Sequence, residues 1–209
     1  MTGRIPRVAV LDYGSGNIHS VVRAFQATGA EVELTTDRGR ALSADGLVVP
    51  GVGAFAACME QLTAVGGIEL IQTRVTAGRP LLGICVGHQI LFASGVEHGI
   101  HSAGVGIFPG SVRQLPTTRL PHMGWNEVTG FGSRFVPSST RFYFVHSYAA
   151  LTHQDLPAGA VPLWATHDGV TFIAAAEWGP VLSTQFHPEK SGAAGLALIH
   201  RWTDGLGAA

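Results

Sequence analysis

The chain has 209 residues, of which 46% are hydrophobic and 13% are charged, and its formal net charge at pH 7 is −1. This composition excludes a mainly disordered chain. Because the sequence has no Lys/Arg-rich run, nothing in it indicates nucleic acid or an anionic membrane as a partner. There are two cysteines, no apolar signal region, and no apolar run near the roughly 18 residues of a membrane span. We expect one cytoplasmic α/β domain over residues 1–209.

Strand and helix patterns alternate through the first hundred residues. Short apolar runs predict strands, and apolar residues at helical spacing predict the helices between them. The predicted strands are 7–12, 31–36 (edge-type), 46–50 and 80–84, and the predicted helices are 18–25, 55–62, 68–75 and a helix from residue 86 onward. This alternation predicts a mainly parallel sheet with helices on both faces, a flavodoxin-like three-layer arrangement. Ligands of such sheets bind at the carboxyl ends of the strands, where the turns 12–17, 50–53 and 85–89 should meet.

The second half is richer in strands. The predicted strands are 105–112, 126–129, 141–145, 161–166, 171–177 and 181–186, and a helix over 193–202 follows them. Their connections are rich in Pro, Gly and Ser. We predict that these strands form a mixed or antiparallel extension of the same sheet.

The sharpest chemical signal is Cys85, which lies between Gly83 and Gly87 at the junction of a predicted strand and a predicted helix. A nucleophile on such a tight turn needs small residues two positions before and after it, because the backbone packs closely there. The start of a helix favours a thiolate, and the N–H of Val86 would point towards an oxyanion. Unpaired cysteines are often buried hydrophobes, and we interpret Cys58, which has no glycine frame, in that way.

A cysteine nucleophile needs a histidine base, and that base needs a group to orient it. His187 ends a predicted strand, Pro188 stiffens the turn after it, and Glu189 can lie beside the ring. His88 follows the nucleophile turn and could pack near it without acting as the base. His98 and His101 have no carboxylate or cysteine at metal-ligand spacing, so we expect no metal site.

A second glycine-rich turn, Pro50–Gly53, follows the strand at 46–50. By itself this pattern could be a phosphate-binding loop or only a tight turn, because Gly-x-Gly is weak evidence. Beside the Cys85 turn, its backbone N–H groups could stabilise a developing oxyanion.

Together, the Cys85 turn, the Pro50–Gly53 turn and the His187-Pro188-Glu189 segment resemble the class I (triad-type) glutamine amidotransferases over nearly the whole chain. Three further segments are similar to those of the glutaminase subunits of imidazole glycerol phosphate synthases. They are Asp12–Asn17, Pro121–Asn126 and Tyr143–Tyr148. The resemblance implies the flavodoxin-like amidotransferase fold and glutamine as the substrate, with no cofactor.

The resemblance also implies roles for individual residues. Cys85, His187 and Glu189 would form the catalytic triad, and the backbone of Gly51, Val52 and Val86 would line the oxyanion hole. The residues implied to bind glutamine are Gly53, Gln89, Glu97, Ser147 and Tyr148. Those implied to face a partner are Asn17, Met123, Trp125, Asn126 and Tyr143.

The implied reaction is attack of Cys85 on the carboxamide of glutamine, giving a thioester and ammonia. Ammonia released into neutral water would mostly be protonated, so it should pass directly to a second site. The resemblance implies that this site lies on a TIM-barrel cyclase subunit, which makes imidazole glycerol phosphate and an aminoimidazole carboxamide ribotide.

Two positions depart from the glutaminase subunits of imidazole glycerol phosphate synthases, which usually have Leu and Met where this chain has Val86 and His88. Histidine at position 88 is common in other class I amidotransferases, so a glutaminase subunit of anthranilate or aminodeoxychorismate synthase remains an alternative. A γ-glutamyl hydrolase or cysteine peptidase with the same type of turn is a second alternative. A non-enzymatic subunit with a vestigial triad is a third.

Overall fold

The computed structural model describes residues 4–16 and 18–207. Its strands are β1 Arg7–Leu11, β2 Glu31–Thr35, β3 Gly46–Gly51, β4 Leu81–Cys85, β5 Phe92–Glu97, β6 Ile100–Ala103, β7 Phe108–Gln114, β8 His122–Val128, β9 Thr140–His146, β10 Tyr148–Ala149, β11 Val161–His167, β12 Val170–Trp178 and β13 Val181–Thr184. Its helices are α1 Ile18–Gln26, α2 Arg38–Ser43, α3 Phe55–Ala64, α4 Gly67–Thr76, α5 Val86–Gln89 and α6 Gly192–Asp204. Short 3₁₀ turns occur at His153–Asp155, Pro188–Lys190 and Gly205–Gly207.

The main sheet has seven strands in the order β11-β12-β13-β4-β3-β1-β2. The five strands from β13 to β2 are parallel, whereas β11 and β12 extend the sheet in antiparallel fashion. The central strands β3, β4 and β13 are buried along their whole length, and β2 at the edge is mostly exposed. The predicted parallel sheet, its edge strand and its antiparallel extension are confirmed.

Helices cover the two faces of this sheet. The chain steps from β1 to β2 in one direction and from β2 through β3 to β4 in the other. Because such crossovers are right-handed, α1 lies on one face and α2, α3 and α4 lie on the other. The helix α6 packs on α1, where the rings of Phe25 and Trp202 meet edge to face with centroids 5.7 Å apart. The direction of winding reverses between β1 and β3, where doubly wound sheets open a ligand crevice.

Not every strand of the second half joins the main sheet. The predicted strands 105–112, 126–129 and 141–145 belong to two smaller sheets, β10-β7-β5-β6 and β8-β9, so their assignment to the sheet extension was wrong. The helix predicted from residue 86 onward ends after one turn, at Gln89. Residues 85–92 are all buried, so hydrophobic periodicity cannot distinguish helix from strand in this segment. None of the helices in the described part of the chain is both long and apolar enough to cross a membrane.

Candidate active site

Cys85 has a strained backbone at the carboxyl end of β4. Its φ of 55° and ψ of −111° are unfavourable for a residue with a side chain. A Cβ added to Gly87 would lie 1.9 Å from the carbonyl oxygen of Val49, and one added to Gly83 would lie 2.7 Å from that of Gly87. Glycine is therefore required at both positions, because neighbouring backbone atoms leave no room for a side chain. The sequence predicted this for a nucleophile turn.

Strand pairing brings the other segments of the site to Cys85. In the parallel register, Gly51 at the end of β3 lies opposite Cys85, and Thr184 at the end of β13 lies opposite Ile84. The chain beyond β13 therefore runs past Cys85 and reaches His187 three residues later. The Pro50–Gly53 turn and the His187 segment thus flank the nucleophile turn on opposite sides.

His187 and Glu189 form a buried pair beside Cys85. The Nδ1 atom of His187 lies 2.8 Å from Oε1 of Glu189, and the two side chains are 3% and 1% exposed. The side chain of Cys85 is near enough to the ring to act on its pKa, and both residues line the same cleft. The backbone of His187 is held as well, because its N–H donates to the Tyr143 carbonyl (2.9 Å) and its carbonyl accepts from the Ser191 hydroxyl (2.6 Å). The structure therefore brings together the three residues predicted to form a triad.

Opposing effects act on the pKa of His187. Burial of the ring acts to lower this pKa, but the hydrogen bonds and charges of Cys85 and Glu189 outweigh burial and raise it to about 9. The ring is therefore protonated at neutral pH. It can hold a thiolate on one side and a carboxylate on the other.

This raised pKa makes stability depend on pH. A histidine whose folded-state pKa lies above its ordinary value of about 6.5 stabilises the fold fully below that pH, and this contribution is lost as the pH rises through about 9. Between pH 6.5 and 9.5, the free energy of unfolding of the native chain should fall by about 3 kcal/mol more than that of His187→Gln. Urea unfolding at a series of pH values measures this. His19→Gln, a change at an exposed histidine, should follow the native chain, and equal slopes for the native chain and His187→Gln would contradict the assignment.

The segment before Asn17 clamps the Pro50–Gly53 turn. The hydroxyl of Tyr13 donates to the Pro50 carbonyl, and the buried Ser15 hydroxyl accepts the N–H of Val52 at 2.9 Å. A Cβ on Gly51 would lie 2.5 Å from the Gly87 nitrogen, so there is no room for a side chain at this position either. The N–H of Val52 is therefore bound to Ser15 in this conformation and is not directed at the space beside Cys85.

A cleft of about 190 Å³ opens in front of Cys85. All five residues predicted to bind the substrate line this cleft, together with several that sequence reasoning did not include. The lining residues are Val52, Gly53, Cys85, Val86, Gln89, Glu97, Val145, His146, Ser147, Tyr148, His187 and Lys190. One carboxylate oxygen of Glu97 also accepts the N–H of Phe55 (3.0 Å), which ties the start of α3 to the cleft wall.

Comparison with known proteins identifies the family of this chain. The family model described as Glutamine amidotransferase class-I matches residues 9–202. The chain belongs to the class I glutamine amidotransferases. The family membership and the fold class predicted from the sequence are thereby confirmed.

Relatives of this amidotransferase match it along nearly its whole length. It is 55% identical over 203 residues to imidazole glycerol phosphate synthase subunit HisH of Mycobacterium bovis, covering 95% of this chain and 98% of the relative. The protein of the same name from Cutibacterium acnes is 52% identical over 205 residues, covering 96% and 97%. Among solved structures, a glutamine amidotransferase gives a TM-score of 0.75 at 21% identity, covering 97% and 99% of the two chains. A putative GMP synthase subunit from Thermoplasma acidophilum gives 0.74 at 22%, covering 98% and 95%. These structural likenesses show the fold.

At the wall of the cleft, the amidotransferase contains a pair of histidines that sequence reasoning missed. His122 and His146 are buried and face each other across β8 and β9, with Nδ1 of His122 at 2.9 Å from Nε2 of His146. Burial lowers the pKa of His122 to about 4 and that of His146 to about 3, and the charge of a neighbouring histidine acts in the same direction on each. Both rings are therefore neutral at neutral pH. Only the register of the two strands reveals this pairing.

The residues predicted to face a partner do not all have exposed side chains. Met123 (61% exposed) and Trp125 (49%) protrude from β8, and the ring of Trp125 lies edge to face with that of Tyr143 on β9. Asn126 lies on the opposite side of β8, because its amide bonds to His122 and to the Thr166 carbonyl. Asn17 lies outside the described residues. The outer face of the β8-β9 pair, formed by Met123, Trp125 and Tyr143, is called the ribbon face below.

Two residues weighed as rivals belong to the core of the amidotransferase. Nδ1 of His88 lies 2.8 Å from the Ser183 hydroxyl, and burial lowers the pKa of His88 to about 3. Its ring does not line the cleft, so it is not positioned as the base. Cys58 is buried in α3, and burial raises the pKa of its thiol. The predicted core role of Cys58 is confirmed.

Proposed function

We propose that this amidotransferase is the glutaminase subunit of imidazole glycerol phosphate synthase, with Cys85, His187 and Glu189 as its catalytic triad. The observation that carries the chemistry is the buried His187–Glu189 pair, whose histidine lines the cleft beside Cys85. The choice of synthase is supported by relatives of that name that are 50–55% identical over nearly the full length.

Glutamine binds in the cleft with its side-chain carboxamide against Cys85. The thiolate attacks the carboxamide carbon, and the oxygen of the tetrahedral intermediate takes hydrogen bonds from backbone N–H groups, with Val86 as the first donor. His187, protonated at neutral pH, gives its proton to the departing ammonia and leaves a γ-glutamyl thioester. The neutral ring then takes a proton from the water that releases glutamate, while Glu189 holds its orientation.

Val52 supplies the second oxyanion donor once its N–H leaves the Ser15 hydroxyl. This requires the peptide between Gly51 and Val52 to rotate, because the N–H now points to Ser15. One oxyanion donor contributes about 3–4 kcal/mol to lowering the barrier. The isolated chain should therefore be a slow glutaminase that a partner accelerates.

The partner is a TIM-barrel cyclase subunit that binds the ribbon face. Trp125 and Met123 are large, exposed and apolar, which suits the centre of an interface. Tyr143 links this face to the triad, because its carbonyl accepts the His187 N–H and its own N–H donates to Ser191. Ammonia passes to the cyclase, which uses it to make imidazole glycerol phosphate and an aminoimidazole carboxamide ribotide.

Glutamine turnover, measured with and without the cyclase and an analogue of its nucleotide substrate, tests this function. We expect a stable complex and an increase in turnover of at least about tenfold. Trp125→Ala should weaken the complex. Leu34→Ala removes a similar, partly exposed apolar side chain on β2 at the far edge of the sheet, and it should leave the complex intact. Failure to bind the cyclase, with turnover unchanged, would contradict the proposed partner.

A further inference from the structure

Gln185 lies one residue beyond β13 and is fully buried. Its backbone N–H donates to the Ala174 carbonyl at 2.8 Å, which fixes the start of the side chain. Its carboxamide lies between Cys85 and Gln89. The Nε2 atom is 3.9 Å from Sγ of Cys85, and Oε1 is 3.0 Å from Nε2 of Gln89.

The orientation of this carboxamide follows from its neighbours. The Tyr148 carbonyl can only accept hydrogen bonds, so the atom of Gln89 that faces it at 2.8 Å must be the amide nitrogen. The same nitrogen faces Gln185, so Gln185 must present its oxygen to Gln89. Its NH₂ group is then directed at the sulfur of Cys85.

A second chain of donors ends on the same Tyr148 carbonyl. Nδ1 of His146 lies 3.0 Å from that oxygen and must be the protonated nitrogen, so Nε2 of His146 accepts from Nδ1 of His122. Nε2 of His122 then accepts from the Asn126 amide at 3.2 Å. Both lone pairs of the Tyr148 oxygen are therefore used, one by Gln89 and one by His146. This leaves the Gln89 amide, and with it Gln185, little freedom to flip.

We propose that Gln185 is a further catalytic residue of the glutaminase, whose amide N–H stabilises the thiolate of Cys85. The proposal rests on Cys85 being the nucleophile. The Val145 carbonyl, 3.9 Å from the sulfur, accepts a hydrogen bond from the thiol and offers no donor to a thiolate, so the thiolate needs donors such as the Gln185 amide. When the thioester is hydrolysed, His187 serves as the base and the thiolate leaves, and Gln185 supplies a neutral donor to the sulfur throughout.

The rate at which iodoacetamide alkylates Cys85 at pH 7 tests this role directly. Only the thiolate reacts, so loss of the donor should slow the reaction about tenfold in Gln185→Leu. Gln185→Met keeps the length of the side chain and removes the donor without adding a charge, and it should also be slower. Thr203→Val, which removes another buried hydrogen bond, is the matched control and should react at the native rate.

Mass spectrometry of the peptides gives the rates of both cysteines in one sample, with buried Cys58 reporting any general loosening of the fold. A role in packing alone predicts equal or faster alkylation of Cys85, because a loosened core exposes the sulfur, and that result would overturn the proposal. Should Gln185→Leu fail to fold, Gln185→Met decides the question by the same criterion.

Steady-state kinetics of the complex give a second readout. We expect kcat for glutamine hydrolysis to fall about tenfold in Gln185→Leu, with KM changed less than about threefold because the amide contacts the sulfur. Unchanged kcat in Gln185→Leu, with Cys85→Ala inactive, would overturn this inference alone. Activity retained by Cys85→Ala would instead overturn the proposed triad.

Discussion

Cys85→Ala should lower glutamine hydrolysis by at least about 10⁴-fold, because Cys85 is the one thiol among the described residues that line the cleft. The complex with the cyclase should still make its product from added ammonium salts, since the acceptor chemistry does not use the thiol. Parallel assays with glutamine and with ammonium as the nitrogen source measure the two activities. This separation would also exclude a non-enzymatic subunit.

The matched control is Cys58→Ala, which removes the other thiol from the core of α3. It should cost stability through the lost packing, yet keep most of the glutamine-dependent activity. Equal activity losses in the two variants would show that the effect of Cys85→Ala comes from the fold and not from the nucleophile.

Gly87→Ala should impair both the fold and the reaction. The added methyl group would lie 1.9 Å from the Val49 carbonyl oxygen and 2.8 Å from its carbon, so the nucleophile turn and β3 must move apart. We expect the free energy of unfolding to fall by about 3 kcal/mol. The turnover of glutamine should fall about 100-fold, because a displacement of about 1 Å at a reacting group has an effect of that size.

Gly205→Ala provides the comparison for this second prediction. Gly205 has helical backbone angles, and a Cβ there meets nothing within 4 Å, so alanine should be neutral or slightly stabilising. Urea unfolding and glutamine turnover of the two variants give the measurement. A Gly87→Ala variant that is as stable and as active as Gly205→Ala would disprove the close packing of the turn.

The parts of the site that the sequence predicted are those with local causes. The glycines around Cys85 and the strand ending before His187 are signals within a few residues, and the parallel sheet then brings the two segments together. The helix α2 was not predicted, because Ala41 is its only fully buried residue and it has almost no apolar pattern.

Features that depend on pairing between distant residues could not be predicted. The strand β5 pairs in parallel with β7, with a shift of register after Phe92, and no local pattern indicates this arrangement. The His122–His146 pair exists only because the register of β8 and β9 places them opposite each other. The contact of Gln185 with Cys85 likewise spans 100 positions of sequence.

The hydrogen bond between Ser15 and Val52 can lower the glutaminase activity of the isolated subunit only to a limited extent. A neutral hydrogen bond contributes about 1 kcal/mol net, which favours the bound peptide only about fivefold over the released one. The hydrogen bond by itself would therefore leave roughly one molecule in six with the Val52 N–H released. Activation beyond that ratio must come from other contacts made by the cyclase. The slow turnover expected of the isolated chain therefore cannot depend on this hydrogen bond alone, and the rest of the difference must lie in turning the peptide between Gly51 and Val52.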